Sequence, residues 1–359
     1  LTVTSEDWAT VERIREQALA IRQLKSASNE YVPARLAAEG DTSKVSIRLK
    51  GDLPDHFEGE RWSFRVKMKG DNEVFELERF SIQDPKTRNN LFEWLFHRAL
   101  QQEDLFYLDY HFVDVTVNGE EKGIYALEEH ISKATANKMV RPNSVIIRFN
   151  EDGFWENYWE QKDNPEHDNR TYLTAPIEAY QAKRLKKSPE LKQYFHRASR
   201  LLDGFRKGTT AASDAFDVEQ TARFLAVLDL FGAWHANRWH NKRWYYNPET
   251  DKLEPVGFDA NGRKLNVLAI HDTRLNATHR NTLFQDPALL QAYTRELERI
   301  AQPEYLAQFF EAIDRDYQCQ CGVFLANFLD WDIPRYREVL ERNQRVIAKS
   351  LPDLQQRGA

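Results

Sequence analysis

The chain has 359 residues, 41% of them hydrophobic and 12% aromatic, which supports one large two-lobed domain or two domains sharing a cleft and excludes a disordered chain. A formal net charge of −6 gives no general electrostatic footprint for nucleic acid. No run of about 18 or more apolar residues is present to span a membrane, and the two cysteines, Cys319 and Cys321, are too few for a disulfide framework.

The helical spacing of Trp8, Val11, Ile14, Ala18 and Ile21 predicts a helix over residues 7–25. Two strands with alternating character follow. Val45, Ile47 and Leu49 alternate with Ser46, Arg48 and Lys50, and Trp62, Phe64, Val66 and Met68 alternate with Ser63, Arg65, Lys67 and Lys69. A third strand is expected over 74–82. Asp84-Pro85 then opens a helix whose apolar stripe includes Leu91, Trp94 and Leu95. Residues 112–117 and 123–127 read as a hairpin around Asn118-Gly119. Residues 150–175 read as a long aromatic loop. Helical patterns dominate at 188–207, 217–235, 287–300, 303–315 and 334–351, with a short strand pair at 243–247 and 253–258. The cysteine pair, Cys-Gln-Cys, reads as inert residues within a helix. The organisation expected is a helical extension over 1–40, a β-rich lobe over 41–133 and a helical lobe over 134–359, an α+β fold.

Four features carry possible chemistry. The strand bearing Lys67 and Lys69, with Arg48 and Lys50 on its neighbour, presents fixed positive charge of the kind phosphoryl transfer needs, or else a solvated sheet face. Glu128 and Glu129 end the returning hairpin strand, where a carboxylate holds a lysine or a cation, or caps the following turn. In Trp234–Asn241, Asn241 stands just before a strand, suited to offer an amide oxygen to Mg²⁺. His235 and His240 form a histidine pair that lacks an evident third zinc ligand. Asp259, in Phe258-Asp259-Ala260-Asn261-Gly262, leaves a short apolar strand and points out of the sheet, as a metal ligand or as an Asx turn. Lysine, glutamate, asparagine and aspartate occur in the order in which protein kinases use them.

The run from Val115 to Ile131 resembles the signature of the spore-coat protein H (CotH) kinase-like family, with Asn118, Gly119, Gly123, Tyr125, Leu127, Glu129 and Ile131 falling on it. Phe80–Leu100 resembles the family's strand, aspartate and helix segment. Asn241, Tyr245 and Phe258–Asn261 resemble its downstream elements. The resemblance implies a two-lobed, atypical protein-kinase-like fold with a small antiparallel N-lobe and a larger helical C-lobe. It implies binding of ATP with Mg²⁺ or Mn²⁺, phosphate transfer to protein serine or threonine, and an exported or envelope-associated setting. Carried over by position, Lys67, with Lys69 as competitor and Arg48 nearby, contacts phosphate, Glu129 supports that lysine or the metal, and Asn241, Asp259 and Asn261 hold the metal. Two departures stand out. The family's aspartate about five residues before the asparagine is missing from His235-Ala236-Asn237, so His235, with Asn237 beside it, is the candidate for the acceptor side. The second aspartate of the family's tryptophan-aspartate-x-aspartate element is Asn261. The alternatives are a nucleotide-binding pseudokinase acting as a scaffold for a protein partner, a transferase with different chemistry, or a carbohydrate- or protein-binding module lined by Phe154–Trp159.

Overall fold

Thr4 starts the first helix, α1 (Ser5–Ile21), by accepting a hydrogen bond from the Asp7 amide, with Glu6 and Asp7 against the positive helix end. Val11, Ile14 and Ala18 are its buried face. It ends at Ile21 rather than residue 25, because Arg22 takes a left-handed φ of 57° and donates back to Ala18 and Leu19. The computed structural model describes residues 1–25, 28–70, 72–180, 182–328 and 336–358, the side chains of 356–358 excepted. Helix takes 50% of the chain and strand 19%, a mixed fold with a curled antiparallel sheet. Two compact units divide it: Leu1–Trp94 with Leu108–His130 and Gln320–Trp331, and Leu95–Tyr107 with Ile131–Cys319 and Asp332–Ala359.

The first unit holds a six-stranded antiparallel sheet of β1 (Val32–Ala38), β2 (Asp41–Leu49), β3 (Phe64–Met68), β4 (Arg79–Gln83), β5 (Tyr110–Val117) and β6 (Glu120–Glu129), in the order β1-β2-β3-β4-β6-β5. Its alternation sorts side chains as the sequence leads one to expect. Val45, Ile47, Leu49, Phe64, Val66, Met68, Phe80 and Ile82 enter one core with α1. On the other face Ser46 pairs with Lys67, Arg48 with Arg65, and Ser81 with Glu128. Strand β1 lies in the stretch read as a helical extension. Its Pro33 weakens the strand signal, and an edge position tolerates it. The strand expected over 74–82 is confined to β4, since Phe75 and Glu76 take left-handed φ values of 53° and 62° in a turn closed by Val74 and Leu77. The β5–β6 turn is as expected. Asn118 and Gly119 have φ values of 51° and 86°, the primed turn that twists with its strands, and Asn118 Oδ1 accepts from the Val3 amide at 2.7 Å.

The second unit has a four-stranded antiparallel sheet of β7 (Ile146–Phe149), β8 (Ile177–Ala179), β9 (Arg243–Asn247) and β10 (Lys252–Val256), in the order β10-β9-β7-β8. Strands β7 and β8 went unread. The expected loop over 150–175 is instead three short helices, Asp152–Trp155, Tyr158–Gln161 and Pro165–Thr174. Asn164, accepting from the Glu166 and His167 amides, and Pro165 in the first turn start the last of these. Helix α2 (Leu91–Gln102) crosses from the first unit's residues to the second's. The remaining long helices are α3 (Pro189–Arg206), α4 (Val218–Leu230), α5 (Ala277–Phe284), α6 (Pro287–Ile300), α7 (Pro303–Asn327) and α8 (Tyr336–Gly358). Helix α4 stops short of residue 235 because Gly232 takes a left-handed φ of 56°. Helix α7 runs beyond 315 and carries both cysteines, neither of which is in a disulfide among the described residues. Of the helix expected over 334–351, positions 334–335 lie outside the described residues. Among the described residues no helix is long and apolar enough to cross a membrane.

Asp229, near the end of α4, accepts from the Ala269 amide at 2.8 Å and from the Tyr293 hydroxyl. Burial nonetheless pushes its carboxyl up to about 7. A raised pKa means that the folded chain holds this proton where the unfolded chain has lost it. Its contribution to stability is therefore complete below about pH 4 and is lost as pH rises to about 7. The expected result is that the wild type loses on the order of a few kcal/mol over that interval relative to Asp229→Asn, read as the difference between their denaturation midpoints against pH.

Candidate functional site

In the second unit the β9–β10 hairpin aims the chain segment that carries Asp259. Glu254, only 2% exposed, fixes the hairpin by accepting from Arg141 Nε at 3.0 Å and Asn247 Nδ2 at 2.7 Å. Gly257 follows, donating to the Phe106 carbonyl at 2.9 Å. A Cβ there would lie 2.0 Å from Leu100 Cδ1 and 3.1 Å from the Phe106 carbonyl oxygen, so only glycine fits. Gly257→Ala is expected to cost about 1–3 kcal/mol through overpacking, measurable by thermal unfolding, and to displace Asp259.

Beyond Gly257 the backbone turns sharply. Asp259 and Asn261 have φ values of 57° and 46°, a region these two residue types enter more readily than most. Asp259 is buried, and its Oδ1 and carbonyl oxygen both lie 3.2 Å from His235 Nδ1. Asn241 donates from Nδ2 to the His235 carbonyl at 3.1 Å and sits 3.3 Å from His235 Nδ1. Thus His235, Asn241 and Asp259, distant in sequence, form one cluster. A carboxylate beside Nδ1 favours the tautomer with its proton there, which leaves Nε2 able to accept one.

Asn241 spends its amide nitrogen on His235, and its Oδ1 has no protein partner among the described residues. Asn261 is half-buried. One carboxylate and amide oxygens form a hard donor set, suited to Mg²⁺ that keeps several waters. No group of three His, Cys, Asp or Glu able to hold a metal ion occurs among the described residues. Asn237, 3% exposed, lines a pocket with room for about one water-sized particle, with Asp229, Trp234, Asp272 and Arg274. Asn237 Oδ1 and Trp234 Nε1 have no hydrogen-bond partner among the described residues. Arg274 and Arg263 flank the Trp234 ring at 4.8 and 5.4 Å, giving this side a cationic rim.

His240 does not join the cluster as a metal ligand. It accepts from Arg238 Nε at 3.0 Å, stacks on Phe154 at 4.1 Å, and burial pushes its imidazole down to about 4, so it is neutral. The aromatic run Phe154–Trp159 is mostly packed. Phe154 is buried against Trp155, Trp239 and His240, and Tyr158 packs on Phe154 and Trp155, while Trp159 is exposed.

In the first unit the cationic face contains a lysine set apart from the rest. Lys50 is buried and donates to Glu128 Oε2 at 2.6 Å and Gln83 Oε1 at 2.7 Å, while Gln83 Nε2 donates to the same Glu128 oxygen at 3.0 Å. Burial pulls the Lys50 pKa down, and Glu128 opposes that shift. Lys67 is half-buried on the same face, Lys69 is exposed, and Arg48 donates to the Asn29 carbonyl at 3.3 Å and covers the Tyr31 ring. Glu129 turns its side chain to the Asp109 amide at 3.0 Å, tying down the entry to β5. The lysine–glutamate pairing in this sheet therefore joins Lys50 to Glu128. The sequence signal for it is the alternation Ser46, Arg48, Lys50 continued one residue past the strand.

The family pattern described as CotH kinase protein matches residues 47–317, well over half of the chain. The chain belongs to that family. Membership in the CotH kinase family points to a kinase-like function. The matched span contains Lys50, Glu128, His235, Asn241 and Asp259. No curated protein matches the chain.

Proposed function

We propose that this CotH-family chain is an ATP- and Mg²⁺-dependent phosphotransferase that modifies protein serine or threonine on a two-lobed, kinase-like fold. The observation that carries this reading is the His235–Asn241–Asp259 cluster. Asp259 and the amide oxygens of Asn241 and Asn261 would hold Mg²⁺, which neutralises charge on phosphate oxygens. In the first unit Lys50, whose side chain Glu128 and Gln83 hold in one place, is the candidate for phosphate contact beside Lys67 and Lys69. In the transfer step the acceptor hydroxyl oxygen bonds to the γ-phosphorus and the bond to the ADP oxygen breaks. The hydroxyl proton passes to His235 Nε2, with Nδ1 anchored on Asp259. His235 thereby fills the role left vacant by Ala236, where the resemblance calls for an aspartate.

A second reading, a nucleotide-binding pseudokinase that serves as a scaffold, draws support from Ala236 itself. Incubation with γ-labelled ATP and Mg²⁺ or Mn²⁺, with and without a serine-rich protein, separates the two. Label on protein hydroxyls supports transfer. ATP-dependent thermal stabilisation with no labelled product supports the pseudokinase. Under the first reading, His235→Gln is expected to slow transfer by about 10²–10⁴-fold while leaving the ATP-dependent stabilisation in place.

A further inference from the structure

Behind β9 in the second unit is a pocket bounded by Thr221, Phe224 and Leu225 of α4, Lys242 and Trp244, and His279 and Leu283 of α5. Lys242, Thr221 and His279 are 7%, 7% and 3% exposed. Thr221 Oγ1 and His279 Nε2 have no hydrogen-bond partner among the described residues. The Lys242 ammonium makes no hydrogen bond or ion pair with any described residue, and no carboxylate lines the pocket. Arg243, which also lines it, has its guanidinium engaged by the Tyr180 hydroxyl and the His240 carbonyl. Three polar groups thus enclose an otherwise apolar space with their bonding capacity unspent. An ammonium there has no counter-charge among the described residues, and burial pulls its pKa down to about 7.

The donors specify what would fit. His279 Nδ1 is 3.2 Å from the Tyr172 hydroxyl. Burial, and then the nearby Lys242 charge, push the imidazole well down, so it is neutral. The 3.2 Å contact is compatible with the tautomer in which Tyr172 donates to Nδ1 and Nε2 carries the proton, donating into the pocket. An ammonium, an imidazole N–H and a hydroxyl then all offer hydrogens, and the space holds about one water-sized particle. We propose that the pocket lined by Lys242, His279 and Thr221 is a buried binding site for a small monovalent anion of halide size. Such an ion neutralises Lys242 and steadies the chain next to Asn241. The site is independent of the phosphotransferase reading.

Bromide serves as the probe. In crystals grown with bromide, an anomalous peak is expected within hydrogen-bonding reach of Lys242, His279 and Thr221. In solution at constant ionic strength, replacing gluconate by bromide or chloride is expected to raise the Tm of the wild type in proportion to the logarithm of halide concentration. Lys242→Met abolishes that dependence. Should that variant fail to fold, Thr221→Val, which keeps shape and removes one donor, is expected to shift the halide midpoint to higher concentration. Water in place of bromide at the site, together with the same Tm in gluconate and bromide, overturns the proposal.

Discussion

Asp259→Asn lowers kcat for phosphate transfer by at least about 10²–10³-fold, the scale on which single preorganised charge-stabilising groups act. Asparagine is the informative replacement. It occupies the same volume, tolerates the left-handed φ of 57° better than alanine does, and keeps the backbone carbonyl that lies 3.2 Å from His235 Nδ1. What it lacks is the negative charge that a divalent cation requires and that favours the Nδ1-protonated imidazole. The loss therefore falls on kcat and on the Mg²⁺ dependence, and the Tm measured without metal changes little. A steep fall in Tm with unchanged kcat would instead mark Asp259 as a purely structural turn residue.

Lys50→Met destabilises the first unit by about 3–5 kcal/mol, because it strands the Glu128 carboxylate in a buried site without its lysine. Adding Glu128→Gln to the same chain recovers much of that loss, since the uncompensated charge is gone and the Gln83 amide can still pair with a neutral partner. Chemical denaturation of the wild type, both single variants and the double variant measures the coupling directly. The function separates differently from the stability. The double variant regains the fold but not phosphate transfer, because the fixed positive charge is absent.

Much of this arrangement is legible in the sequence because it rests on local rules. Period-two alternation gives β2 and β3, and the primed turn at Asn118-Gly119 gives the hairpin. Left-handed propensity and position after a strand single out Asp259. What was not legible depends on contacts between distant residues. Nothing local says that Lys50 meets Glu128, since its partners are brought to it by the β4 and β6 ends. Adjacent glutamates on a strand point to opposite faces, so choosing between Glu128 and Glu129 requires the register of β6. Strand β7 carries a local signal in the β-branched run Val145-Ile146-Ile147, whereas the three-residue β8 is fixed only by its pairing with β7. Lys242 looks like any charged residue after an asparagine, and its burial against His279 and Thr221 is a property of packing alone.

The central claim is that Asp259 helps to bind a divalent ion together with nucleotide phosphate. The most direct test follows free Mn²⁺ by its electron paramagnetic resonance signal as the ion is titrated into the wild type and Asp259→Asn, each with and without a non-hydrolysable ATP analogue. The account predicts analogue-dependent Mn²⁺ binding by the wild type and a loss of about 10–100-fold or more in Mn²⁺ affinity in the variant. Equal Mn²⁺ affinity in both chains with analogue present would contradict it.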